Sequence, residues 1–469
     1  MLVTNGTVLT FGPEGEKQVI SEGAVYYEGD VILDVGPAAE LKAKYPQAET
    51  LDAAGKLILP GNICAHTHFY GAFARGMAIP GEPPANFMEI LERLWWKLDR
   101  ALRLEDCQAS AEVALVDAIR HGTTTLIDHH ASPEAIDGSL DALAEAVLAS
   151  GLRVSLCYEV TDRNGPAGAK AGIAENVRWL KKVQTMRQQQ STPRRGVQST
   201  PRRGVQTAEA ERLGASFGLH ASLTLSNQTL EQCLAAAADL DTGFHIHLAE
   251  DEADEQNCLE VYHTWVADRL EEQGILGEKT LAAHAIHLDE YEMDILSATK
   301  TKVSCQPRSN MNNAVGVAPI EALLEKGITV GLGNDGFSNN MFTEMAVCYL
   351  LHKNAQGNPQ AMGAETVLRL AYVYNAQIAR LFFPKPVGAL TPGAYADLIL
   401  LDYHPYTLLS PGNYPWHTIF GLDGSQVTHT ICAGRLLMKD RLLLTMDEAA
   451  IAARARALSQ KVWERVAAM

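Results

Sequence analysis

The sequence predicts a mixed α/β fold, a (β/α)8 TIM-type barrel carrying a small β-sandwich built from both chain ends. Three observations predict it. Eight short apolar strand candidates follow one another through the middle of the chain, most of them separated by a helical pattern. Eight strand–helix units in series imply a closed parallel barrel, whereas a doubly wound sheet would not need eight. Both ends read as strands and turns, and the length of 469 residues leaves roughly 150–200 residues beyond a barrel.

The elements follow in order. Ile20–Tyr27 is a strand, Glu28–Gly29–Asp30 a turn, and Val31–Gly36 a second strand. Candidate barrel strands end near His68, His129, Glu159, Ala221, Leu248, Ala285, Gln306 and Asp335. Helical patterns between them include Leu104–His121, Gly138–Gly151 and Leu230–Leu240. Ala396–Asp402 and Val427–Cys432 are strands again, and Asp447–Ala468 closes the chain as a helix. The predicted division is residues 1–58 and 385–445 for the sandwich, 59–384 for the barrel and 446–469 for the last helix. One segment breaks the pattern: STPRRGVQ at 191–198 repeats at 199–206. With one Val per copy it has almost nothing to bury, and it reads as a mobile surface loop before the fourth strand rather than a basic binding patch.

Composition excludes several functions. The formal net charge is −17, which argues against nucleic acid or an anionic membrane as partner, because phosphate binding needs clustered Lys and Arg. No apolar run approaches the ~20 residues of a membrane span. The first residues lack a basic stretch followed by an apolar one, so no signal peptide is expected. The eight cysteines form no C-x-x-C pair; they read as reduced, buried thiols of a cytoplasmic protein.

In such a barrel the chemistry sits at the C-terminal ends of the strands. His66 and His68 end the first strand two residues apart, so both imidazoles reach one side. An isolated H-x-H is weak, since two solvated histidines satisfy it equally. The fifth strand ends Phe244–His245–Ile246–His247–Leu248–Ala249–Glu250, where one histidine can be a third ligand and Glu250 can move a proton. His284 ends the sixth strand, with His287 beyond it, and Asp335 ends the eighth. Each has a bland reading as a strand-end polar residue. Together, four strand ends offer His, His, His and Asp.

These residues resemble the amidohydrolase superfamily in its cytosine-deaminase-like and chlorohydrolase-like branch. The resemblance covers nearly the whole chain. It rests on Pro60–Gly61 before His66–Thr67–His68, Gly122–Thr125, His247 with Glu250, His284, Asp335, and Pro392–Leu398. Asp128–His129–His130–Ala131–Ser132–Pro133 is similar to the aminohydrolases called SsnA.

The resemblance implies that His66, His68, His247 and Asp335 hold one divalent metal, Zn2+ first and Fe2+ second. His245 becomes an interior neighbour. Binuclear branches carry a carboxylated Lys on the fourth strand, and Ser216–His220 has none, which implies one metal. Metal-bound hydroxide would attack an aminated N-heterocycle, purine- or pterin-like, with Asp335 taking a proton, His284 orienting the nucleophile and Glu250 protonating the ring. His220, Arg75, Glu89 and Asn310 are the implied substrate contacts. His220 stands where guanine deaminases tend to carry Arg, which weakens that substrate. Trp95 and Trp96 read as packing for the loop over the site, and one of His129 and His130 should face the barrel mouth. The alternatives are a hydrolytic dechlorinase or a ring-opening amidohydrolase on the same site, and a non-catalytic assembly protein, which the complete ligand set disfavours. A homodimer is expected by analogy with the family.

Overall fold

Why parallel strands here are apolar throughout follows from their position: a barrel strand is covered by side chains inside and helices outside. The computed structural model describes residues 1–12, 15–191 and 211–469, and its barrel strands are buried almost end to end. They are β1 (Asn62–Thr67), β2 (Thr123–Asp128), β3 (Arg153–Leu156), β4 (Phe217–Ala221), β5 (Phe244–Leu248), β6 (Leu281–His284), β7 (Lys302–Cys305) and β8 (Val330–Leu332). A short piece, Leu213–Ala215, precedes β4 and pairs with β3.

The strands run parallel in two hydrogen-bonded arcs, β1–β2–β3 with Leu213–Ala215, and β4 to β8. Parallel bridges Thr67↔Asp335 and Val160↔Leu219 join the arcs and close the barrel. Helices fall where the periodicity predicts them. Leu104–His121 ends at Gly122, whose φ of 74° supplies the left-handed C-cap. Ser139–Ser150 and Asn227–Ala237 follow β2 and β4. The last helix, Glu448–Ala467, buries Ala455, Leu458, Val462 and Val466 in the barrel's apolar core and donates from Trp463 Nε1 to Phe73 O at 2.8 Å.

Both chain ends contribute to the second body. Among the described residues nine strands hydrogen-bond as one mixed sheet, in which Leu57–Pro60 lies parallel to Leu2–Phe11 and antiparallel to Leu398–Leu401. Val3, Val8, Val25, Ile58, Leu398 and Ile431 share its core. A buried ion pair ties this body to the barrel: Arg153 of β3 meets Asp397 at 3.2 Å through both Nε and Nη2, and its guanidinium lies 3.5 Å from the Tyr395 ring centroid. The repeated STPRRGVQ segment lies, from residue 192, outside the described residues. Among the described residues no helix is long and apolar enough to cross a membrane.

Candidate metal centre and substrate cleft

Three strand ends turn sharply to form the site. Ala249 after β5, His284 at the end of β6 and Asp335 after β8 have φ of 45°, 73° and 57°, a region that side chains other than glycine occupy at a cost and that recurs at functional sites. The chain after β8 passes against β1, with Asn334 N and Asp335 N both donating to His66 O. Gly333 permits this approach, since a Cβ there would lie 2.6 Å from His66 O.

The structure brings His66, His68, His247 and Asp335 together, with one ligand atom from each inside a 4.8 Å group. Asp335 Oδ1 stands 2.9 Å from His68 Nε2 and 3.5 Å from His66 Nε2, and its Oδ2 accepts from Ser309 Oγ at 2.5 Å. His68 Nδ1 donates to His129 O at 2.5 Å, and His247 Nδ1 donates to His220 O at 2.9 Å. Those bonds fix the tautomers and turn both Nε2 lone pairs inward, where they face each other at 3.2 Å. Two lone pairs at that distance repel unless a cation or a proton stands between them. His66 Nε2 is buried with no hydrogen-bond partner, while its Nδ1 meets His245 Nε2 at 2.9 Å. Three imidazoles and one carboxylate therefore converge, with an unsatisfied nitrogen among them, and this set fits a divalent transition metal.

Electrostatics agree. Burial pushes His66 down to about 3 and His247 well below the usual imidazole range, so both stay neutral and able to ligate. At His68 burial works against the charge, yet Asp335 reverses it and lifts the group to about 9. Burial opposes ionisation of Asp335 as well, but His68 and His66 hold its carboxyl well below the ordinary range. A positive charge beside Asp335 is what this pocket stabilises.

Beside the ligands, His284 Nδ1 lies 2.8 Å from Asn310 Oδ1, and its Nε2 faces Glu250 Oε2 at 3.4 Å. Burial and the nearby Asp335 push the Glu250 carboxyl well above its usual value. That shift favours the protonated carboxyl beside the imidazole.

A cleft opens over these groups. His68, His247, Glu250 and Asp335 form one part of it, Tyr70, Phe87, Trp95 and Trp96 an aromatic wall, and His220 lies between. Of the other residues nominated from sequence, Arg75 lines neighbouring depressions with Gly336 and Phe337. Glu89 accepts from Ala85 N at 2.7 Å and pairs with Arg93 at 3.1 Å, away from the cleft. Asn310 is buried behind His284. His129 and His130 are both fully buried: His129 Nε2 bonds Leu219 O and His245 O, and His130 Nε2 bonds Ser132 Oγ. His287 Nε2 bonds Val315 O at 2.6 Å.

Sequence reasoning gave no role to several cleft residues, among them Asp99, Arg163 and Glu159, the last read only as a strand end. Burial favours a neutral Glu159, but His220, His129 and Arg163 outweigh it and hold the carboxyl below the usual range. The available signal was Glu159 and Arg163 four residues apart just after a barrel strand, at the barrel's chemical end.

A profile of the Amidohydrolase family matches residues 57–437. A short match at residues 23–48 is to an imidazolonepropionase-like composite domain of bacteria. The chain is 32% identical over 466 residues, 98% of both chains, to the 5-methylthioadenosine/S-adenosylhomocysteine deaminase of Syntrophobacter fumaroxidans. It is 30% identical over 470 residues, 99% of both chains, to the 5′-deoxyadenosine deaminase of Methanosarcina mazei. Among solved structures, an adenosine deaminase from Xanthomonas campestris with bound zinc superposes with a TM-score of 0.82 at 22% identity over 98% of both chains. Atrazine chlorohydrolase from Arthrobacter aurescens, complexed with zinc, superposes with a TM-score of 0.79 at 20% identity over 98% of this chain and 99% of that one. These two likenesses show a shared fold.

Proposed function

The chain belongs to the amidohydrolase family, and from that premise we propose a hydrolase with one divalent metal that deaminates an aminated N-heterocycle, purine- or pterin-like. The observation that carries the reading is the convergence of four ligand atoms within 4.8 Å beside Glu250, whose Oε2 faces His284 Nε2 at 3.4 Å. Relatives at 30–32% identity are named as deaminases of adenosine derivatives, which favours a purine ring. His66, His68, His247 and Asp335 would hold the ion. When bound, a divalent ion supplies the Lewis acidity that makes water nucleophilic near neutral pH. Zinc suits the donor set and is present in both solved neighbours, and Fe2+ suits the same donors.

The chain's own residues do the rest. Glu250 brings a proton to the ring nitrogen beside the carbon that bears the amine, which makes that carbon electrophilic. His284, with Nδ1 committed to Asn310, offers the Nε2 lone pair to a hydrogen of the incoming water and aims its oxygen. Asp335 takes the water's proton at Oδ2, the oxygen steadied by Ser309, and passes it to the amine. As the C–N bond breaks, the hydroxyl proton on the attacked carbon returns to Glu250, ammonia leaves, and a ring carbonyl remains. His220 lines the cleft and is read as a substrate contact, while Asn310 positions His284.

The reading extends to a homodimer in the cytoplasm. All eight cysteines are free and buried, which suits a reducing compartment. Exposed Tyr406, Leu408 and Phe420 offer apolar surface for a second copy.

The test is ammonia release by metal-loaded protein over aminopurines, adenosine-type nucleosides, aminopterins and aminotriazines. Release from one class supports deamination and names the ring. Metal-loaded protein that releases none overturns it in favour of a dechlorinating or ring-opening hydrolase.

A further inference from the structure

A line of contacts leads from the metal centre along one wall of the cleft. The His247 ring stands 5.6 Å from that of His220, His220 Nε2 stands 3.7 Å from Glu159 Oε1, and the same oxygen lies 3.9 Å from Arg163 Nη2. Arg163 Nη2 also meets Asp99. The side chains of Arg163, Asp99 and Glu159 are only 9%, 2% and 3% exposed, so this is buried polar structure and not a solvated surface cluster.

Its hydrogen-bonding capacity is only half used. Arg163 Nε and Nη1 are buried and have no partner, and neither has Trp96 Nε1, whose ring lies 5.2 Å from the Arg163 guanidinium. Buried donors without acceptors cost free energy, so native structures rarely keep them without a purpose. The ion-pair partners of Glu159 Oε1 stand at 3.7 and 3.9 Å, longer than a hydrogen bond. The wall thus presents free N–H donors beside a free carboxylate oxygen.

A ligand group must both accept and donate to satisfy it. An ammonium has no acceptor for the guanidinium N–H groups. A phosphate or carboxylate could accept from Arg163, but it would bring a further negative charge beside Glu159 and Asp99 in a dry site. A hydroxyl does both and carries no charge. We propose that this wall docks a neutral, hydroxyl-bearing arm of the substrate, in the simplest case a vicinal diol, through Arg163, Trp96 and Glu159, and that it turns away arms carrying phosphate or carboxylate. Asp99 holds Arg163 in place. This deepens the deaminase reading and rests on it for its kinetic test but not for its binding test.

The probes are adenosine, 2′,3′-dideoxyadenosine and adenosine 5′-monophosphate, applied to the full-length, metal-loaded protein. Binding is followed by calorimetry and turnover by ammonia release. The proposal predicts a preference of about 100-fold for adenosine over the dideoxy compound, the scale expected when a buried polar group is left without its partner. Adenosine should also exceed the monophosphate by at least about tenfold. Arg163→Met should bring the adenosine-to-dideoxy ratio close to one. Trp96→Phe keeps an aromatic side chain and removes the indole N–H together with the five-membered ring; it should lower the ratio about tenfold, and it guards against a misfolded Arg163 variant. No preference among the three probes, tightest binding of the monophosphate, or an unchanged ratio in a folded variant overturns the proposal. A diol preference in binding without ammonia release overturns the deaminase reading and leaves this wall standing. Ammonia released equally from adenosine and its dideoxy analogue overturns the wall alone.

Discussion

Burial and the charge of Asp335 raise the Glu250 carboxyl, so it enters the cycle as an acid. Its protonated form is lost as pH rises through the raised value, and turnover should fall on the alkaline side for that reason. Glu250→Gln keeps the volume and removes the transferable proton. It should bind metal as the parent does and lose about 10²–10⁴-fold in kcat; retained turnover would remove Glu250 from the mechanism. The residues at strand ends were legible because period-two alternation and barrel geometry dictate where they point. His245 and His247 share that alternation, so periodicity alone left the choice between them open, and depth explains the difference. His245 lies one layer down, against His66 Nδ1 and 3.8 Å from Cys157 Sγ. Asp99 was not legible, because it looks like an ordinary surface charge until the fold buries it.

The helix Val266–Glu272 begins at two glutamates from other helices. Glu255 Oε2 accepts from Val266 N at 3.1 Å and Glu292 Oε1 from Ala267 N at 2.9 Å, so both acids cap one N-terminus. Burial, then the facing Glu292, pushes Glu255 up to about 9, and burial raises Glu292 too. The folded pKa of Glu255 lies above its unfolded value near 4.5. Its contribution to stability is therefore complete below about pH 4.5 and is lost as pH climbs through about 9. Glu255→Gln, which mimics the protonated form, should flatten this dependence and melt about 2–4 °C above the parent at pH 9; identical melting profiles from pH 6 to 9 would contradict a raised Glu255. At this scale the barrel helices were readable from their apolar stripes. Leu2–Phe11 was not picked out as one strand, because Asn5 with φ 59° and register shifts on either side of Gly6 break its alternation. The fourth strand shortens for a similar reason, with Leu213–Ala215 and Phe217–Ala221 pairing to different neighbours.

Over the whole molecule, two bodies meet through contacts between residues hundreds of positions apart. Leu57–Pro60 joins the strands of both chain ends, and Arg153 reaches Asp397 across 244 positions. Strand-rich ends announced a joint β-body, but nothing local announces which strands pair, since pairing depends on closure of the barrel between them. That closure also assembles the centre, because β1, β5 and β8 contribute ligands from three distant stretches of chain. The account's central claim is that these stretches make one metal site. Elemental analysis of purified, metal-exposed and dialysed protein tests it most directly. One divalent ion per chain is predicted for the parent, with the content lost in His247→Ala and Asp335→Ala. No bound metal in the parent, two ions per chain, or full content in both folded variants would contradict it.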